Sequence, residues 1–229
     1  MPESKSINPT YWDKVYLGFH QEKPFRASVW NEEPTSFFVR LIPFLKYKGI
    51  QSILDAGCGD GRNLTPLIES GFDVIGVDSS EEALHYAKHN NADARNLKLY
   101  NSSLYNIDLL DNSMDALICD HVLTHIEEPD KAINEFYRLI NSNGYALLEF
   151  TSKQDSTFGK GKKISDNEFL QNGVYLRYDE PADIQRMLKG KFQILCFTSE
   201  HSTDPPHGKG YIREERHNHH SYFVVARKE

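Results

Sequence analysis

Residues 53–62 read ILDAGCGDGR. An apolar run ends in Asp55, and Gly57, Gly59 and Gly61 follow at alternate positions. Apolar residues that stop at a glycine-rich turn mark a buried strand of a parallel sheet. Residues 62–70 then place Leu64, Leu67 and Ile68 at helical spacing, with Gly71 as a C-cap. In open parallel sheets, the loop between such a strand and helix holds a ligand beyond the strand's carboxyl end. Glycines there let backbone N–H groups reach that ligand.

The same alternation runs outward almost to the chain end. Strand patterns occupy 73–78, 97–103, 114–120, 145–151, 192–198 and 221–227, and helical ones 83–89, 131–140 and 181–188. Strands alternating with crossover helices predict a doubly wound, mostly parallel, seven-stranded Rossmann-like α/β sheet. Roughly 20 residues without a helical pattern join the last two strands, so these are expected to pair as a long-looped hairpin with the last strand antiparallel. The chain reads as a single domain, 1–229. Within it we expect an N-terminal cap (1–48), a cofactor-binding core (49–151), a lid insertion (152–179) and a C-terminal helix and hairpin (180–229).

The 229 residues carry a net charge of −7. This disfavours a nucleic-acid partner, whose phosphates need a basic surface. No apolar run approaches bilayer length, and the polar start lacks a secretory core. The expectation is a soluble, cytoplasmic protein with no membrane partner. Cys58, Cys119 and Cys196 show no metal-ligand or disulfide spacing, so no metal is expected.

Dinucleotide folds use G-x-G-x-x-G, but here the third glycine comes one residue early and Arg62 stands in its place. Asp55 would also repel a pyrophosphate, whereas it suits a cationic α-amino or sulfonium group. Asp78 ends the second strand, 21 residues after Gly57, where an acid can accept hydrogen bonds from ribose hydroxyls. Ribose joined to a cationic amino-acid moiety describes S-adenosyl-L-methionine, with S-adenosyl-L-homocysteine as product. An NAD-dependent oxidoreductase is the rival reading that the glycine offset opposes.

With Asp111 to Asp115 ahead of the fourth strand and CDHVLTHI (119–126) after it, residues 50–150 resemble class I S-adenosylmethionine-dependent methyltransferases. The resemblance implies an enzyme that passes a methyl group to a small-molecule acceptor by in-line displacement. The cofactor candidates are Asp55, Gly57, Cys58, Gly59, Asp78, Ser79, Ser103, Leu104 and Asp120. Ser103 stands where many members carry an acid for the adenine amino group. The lead-in YWDKVY (11–16), with Trp30 and Pro34, and the ending His217-Asn218-His219 before FVVARK are similar to the tellurite-resistance and thiopurine methyltransferase branch. Tyr11, Trp12 and Arg26 join the cofactor candidates.

Asp120 and His121 follow the fourth strand and are the catalytic candidates. His121 has a near-neutral intrinsic pKa suited to a general base, and a structural, hydrogen-bonded histidine is the competing reading. Trp30, His125, Tyr175, Tyr178, His217 and His219 are candidates for the acceptor pocket. The histidine pair also reads as ordinary hairpin residues or a metal site. Lys160, Lys162 and Lys163 read as a solvated loop or as an attractor of anionic acceptors. A non-catalytic cofactor-binding protein and an RNA or protein methyltransferase remain rival readings.

Overall fold

A computed structural model describes residues 9–22, 33–204 and 217–229. Arg26 and Trp30 lie outside these residues.

Seven strands form one sheet around β1 (Ser52–Ala56), which pairs in parallel with β2 (Asp73–Asp78) and with β4 (Met114–Cys119). β3 (Leu97–Asn101) continues the sheet on the β2 side, and β5 (Ile140–Thr151) lies beside β4. Beyond β5 come β10 (His217–Lys228) and then β9 (Phe192–Asp204). β10 is antiparallel to both neighbours, so the last strand reverses as its long connection implies. Strand order turns around at β1 and β4, and their carboxyl ends open a crevice there.

Alternate side chains feed two apolar layers. Leu54, Leu117, Leu148, Phe150 and Val224 face α5 (Pro129–Leu139) and α6 (Pro181–Leu188), where they meet Phe136, Ile184 and Met187. Ile53, Ala116, Ile118, Leu147 and Phe223 form the other layer. There they pack with Phe37, Phe38 and Leu45 of α2 (Ser36–Tyr47), Leu64 and Leu67 of α3 (Leu64–Glu69) and Ala87 of α4 (Glu81–Asn90).

Three details differ from the sequence reading. α3 starts two residues late, because Arg62 and Asn63 remain in the turn. β5 starts at Ile140 rather than near Tyr145. Asn143 there adopts φ +64°, and the β4–β5 register shifts between Met114 and Ala116, so the expected turn is absorbed as an irregular strand entry. The third concerns 152–179, expected as a glycine-rich lid. It contains a second antiparallel sheet of β6 (Lys162–Lys163), β7 (Glu168–Gln171) and β8 (Val174–Arg177). Asn172 and Gly173, both at positive φ, form the two-residue turn between β7 and β8. Among the described residues no helix is long and apolar enough to cross a membrane.

Candidate active site

A cavity of about 320 Å³ opens where β1, β2 and β4 end, within the size range of small-molecule sites. The glycine turn forms its floor. Gly57 and Cys58 donate to the Val77 carbonyl at 2.7 and 3.0 Å, which ties the turn to β2. Gly59 donates to Asp78 Oδ2 and Ser80 to Asp78 Oδ1, both at 2.9 Å. Asp78 is thereby fixed at the cavity wall with further lone pairs on both oxygens. Gly57 has φ +83°, and a Cβ there would collide with the Val122 side chain. At Gly59, with φ +56°, it would come within 2.5 Å of the Tyr16 hydroxyl. The turn has to be bare at both places.

α1 (Pro9–Glu22) roofs the cavity. Trp12 and Tyr16 line the space from above. Asp13 Oδ1 accepts from Ser80 Oγ at 2.7 Å and from the Glu82 N–H at 3.3 Å, pinning α1 to the start of α4. Trp12 and Val15 also pack on Phe169, Val174, Leu176 and Tyr178 of the small sheet. That sheet supports the roof. It also holds the wall below, because Thr124 Oγ1 donates to the Arg177 carbonyl at 2.8 Å and His125 Nδ1 lies 3.1 Å from the Tyr175 carbonyl.

Past β4, Asp120 is buried at the centre of a network. Its Oδ2 accepts from Thr35 Oγ1 (2.6 Å), Arg62 (2.5 Å) and Asn63 Nδ2 (2.9 Å). Burial pushes its pKa up, but His121, Arg62 and the hydrogen bonds from Thr35 and Asn63 together hold it below the usual carboxylate value. His121 adopts φ +54°. Its N–H donates to Glu149 Oε2 at 3.1 Å, while its ring lies 3.7 Å from Glu149 Oε1 and 3.8 Å from Asp120 Oδ1. The two ring nitrogens thus face one carboxylate each.

Gly57, Cys58, Gly59, Asp78, Ser79, Ser103, Leu104, Asp120, Trp12, His121 and His125 all line the cavity, from among the sequence candidates. Asp55 lies behind the floor, 1% exposed, rather than on the lining. Its Oδ2 is buried without a hydrogen-bond partner. Burial, with Asp120 nearby, pushes its pKa up to about 8.

Tyr11 takes no part in the lining; its ring stacks edge-on against Trp12 and packs on the small sheet. Tyr175 and Tyr178 do not line the cavity either. Tyr175 is buried and donates to Glu168, and Tyr178 sits in an aromatic cluster with Phe158 and Phe169, donating to Thr157. Tyr175 lies on β8 facing away from that cluster, and Tyr178, one residue past β8, closes the cluster, which the lid reading did not foresee. His217 and His219 stand outside the lining, with the His219 ring 5.7 Å from that of His121. Among the described residues no group of three or more metal-ligating side chains is arranged to hold an ion.

Tyr16 of the YWDKVY lead-in lines the cavity as well, and so do Arg62, Asn63 and Val122, which the sequence reading does not name as site residues. Glu149 and Thr35 act behind it. Arg62 and Asn63 follow the last glycine directly, a position that could have suggested them; Thr35 and Glu149 give no local signal.

The residues fit the sulfonium nucleoside. An orphaned carboxylate oxygen under the floor and an acid-rich wall suit its cationic amino-acid end. Asp78 offers acceptors for two hydroxyls, and Leu104, Tyr105 and Ile126 give an apolar slot for a ring. This fold and this cradle are those of a class I S-adenosylmethionine-dependent methyltransferase. A family model described as a methyltransferase domain matches residues 54–148. Ubiquinone biosynthesis O-methyltransferase of Rickettsia akari is 26% identical over 80% of this chain and 73% of its own length. The tRNA N(3)-methylcytidine methyltransferase trm140 of Schizosaccharomyces pombe is 30% identical over 74% of this chain and 57% of its own length. Among solved structures, one concerned with conversion of a disulfide bond into a thioacetal group during echinomycin biosynthesis superposes with a TM-score of 0.71 at 18% identity, covering 96% of this chain and 93% of that one. A S-adenosylmethionine-dependent methyltransferase from Methanosarcina mazei gives 0.67 at 18% identity, covering 78% and 92%. TehB from Haemophilus influenzae gives 0.62 at 15% identity, over 83% and 62%. Likenesses at this identity speak for the fold and not for a branch of the class.

Proposed function

We propose that this methyltransferase acts on a small-molecule acceptor, with the cofactor held by the glycine turn, Asp78 and the Asp55–Asp120 end of the cavity. The observation that carries the reading is the roof. α1 and the small sheet enclose the cavity, and His121, between Glu149 and Asp120, stands at the β4 end where an acceptor would meet the methyl group. When bound, S-adenosylmethionine supplies a methyl group already activated by positive sulfur. The chain's own residues then have three tasks: to align the acceptor, to exclude water under Trp12 and Tyr16, and to take up a proton at His121. The relationship to ubiquinone O-methyltransferases supports a small acceptor, as does the acidic net charge.

The test is a panel of small phenols, thiols, amines and carboxylates, with tRNA in parallel, incubated with methyl-labelled cofactor and read by mass spectrometry. Label on a small acceptor is expected. Label confined to RNA would overturn the reading.

A further inference from the structure

The cofactor's amino-acid end is a zwitterion, so an anion has to be seated beside its cation. Four acids, Asp60, Asp78, Asp120 and Glu127, line the cavity and repel a carboxylate. The bare turn does not offer its backbone for the purpose. The N–H groups of Gly57 and Cys58 are taken by the Val77 carbonyl, that of Gly59 by Asp78 and that of Gly61 by the Cys58 carbonyl. The histidines of the lining are engaged as well: the His121 nitrogens face Asp120 and Glu149, and His125 Nδ1 meets the Tyr175 carbonyl. Among the described residues, Arg62 is the one arginine or lysine on the lining.

The Arg62 side chain is 11% exposed and is held in place at one corner. Its Nη2 donates to Asp120 Oδ2 at 2.5 Å. Asn63 Nδ2 and Thr35 Oγ1 donate to the same oxygen, and Asn63 Oδ1 accepts the Thr35 N–H at 3.0 Å. The oxygen that aims Arg62 is therefore itself fixed. Among the described residues the guanidinium makes no other hydrogen bond, so Nε and Nη1 keep their N–H groups for a ligand. Neither nitrogen is sealed in the protein. Acceptors for a cation lie close by. Asp120 Oδ1, and Asp55 Oδ2 beneath the floor, are buried without a hydrogen bond, and the Arg62 charge draws the pKa of both carboxyls down. One guanidinium beside two carboxylates is the complement of a carboxylate joined to an ammonium.

We propose that Arg62 receives the carboxylate of the cofactor's amino-acid end, and that this contact makes the site select nucleosides that carry an intact α-amino acid. Asp120 holds one corner of the guanidinium, and the rest of its planar fork meets the carboxylate. The proposal rests on the cofactor lying in this cavity, as read above, and is independent of which acceptor is methylated.

Titration calorimetry compares S-adenosylhomocysteine with its decarboxylated form, which keeps the adenosine, the thioether and the amine and lacks only the carboxylate. Wild type should prefer the complete ligand by about ten- to a hundredfold, the scale of hydrogen bonds between charged groups. In Arg62→Gln the affinity for S-adenosylhomocysteine should fall by about that factor. The decarboxylated form should bind at least as well as to wild type, because a like charge near its ammonium is gone. Arg62→Lys keeps a cation on Asp120 and carries the test if Arg62→Gln does not fold. With a point charge in place of the fork, its preference for the complete ligand should shrink about threefold or more. Wild type that binds the two ligands alike, or a variant that loses both equally and so keeps the wild-type preference, would overturn Arg62 as the partner of the carboxylate. Asp78→Ala separates that role from the seating of the cofactor, since it should weaken both ligands by the same factor. If Asp78→Ala changed neither, the seating would be overturned and the proposal with it.

Discussion

Asp78 and Asp120 line one crevice, Asp55 lies beneath its floor, and the three titrate apart. Burial raises Asp55 and Asp78, Asp55 to about 8, while Asp120 is held low by His121, Arg62 and its hydrogen bonds. In the window from an ordinary carboxylate value of about 4 up to about 8, native Asp55 keeps a proton that the unfolded chain has released. Stability of the cofactor-free protein should therefore fall as pH rises through that window, and Asp78 contributes in the same direction. Asp55→Asn should flatten the fall, measured as melting temperature against pH. A slope identical to wild type would show that Asp55 is ionised in the native state. Asp78 makes two backbone hydrogen bonds besides those it can offer a ribose. Asp78→Ala should weaken S-adenosylhomocysteine binding by ~1–3 kcal/mol in titration calorimetry; unchanged affinity would remove Asp78 from the ribose.

At the scale of elements, the placement of α1 is decisive. It is held by Asp13 on Ser80 and the Glu82 N–H, by Tyr11, Trp12 and Val15 on the small sheet, by Tyr16 against Ala83 and by Trp12 edge-on to His125. A helix docked from outside the sheet opens locally more easily than the strands beneath it. Asp13→Ala should raise the S-adenosylhomocysteine Kd by ~0.5–1.5 kcal/mol, and amide exchange over residues 9–22 should quicken while the core strands stay protected. Uniform exchange in variant and wild type would mean that Ser80 does not anchor the roof. The small sheet was legible in part: Asn172-Gly173 between FLQ and VYLR is a strong hairpin signal. Reading 152–179 by its glycines and lysines hid it. The packing of α1 onto that sheet had no local signal, because Trp12 and Tyr178 are far apart in the chain.

For the molecule as a whole, the crevice lies at the carboxyl rim and much of the binding strength between elements lies elsewhere. Arg138 on α5 donates to Glu135, Asp111 and the carbonyls of Ile107 and Leu109. It ties the loop ahead of β4 to the sheet's other end. Arg138→Ala leaves Glu135, which is largely buried, without its cation. Arg138 itself is partly exposed, so we expect a loss of ~1–3 kcal/mol in urea unfolding rather than the larger cost of a fully buried pair. S-adenosylhomocysteine affinity should be unchanged, since distant sites add independently. A parallel loss of affinity would show that the two rims are coupled.

The sequence by itself determined the strand order's raw material, the bare turn and the two acids that frame it. Those are local facts: a period of two or 3.6 residues, a glycine where only positive φ fits, a carboxylate at a strand tip. The reversed last strand was legible too, from the length of its connection. What only the tertiary structure decided are the partners brought from far along the chain. Asp55 lies under the floor rather than in the cavity, Tyr178 serves a second core, and Glu149 stands behind His121. Such partners are chosen by how twisted strands and packed helices meet in space, and no spacing along the chain encodes that meeting.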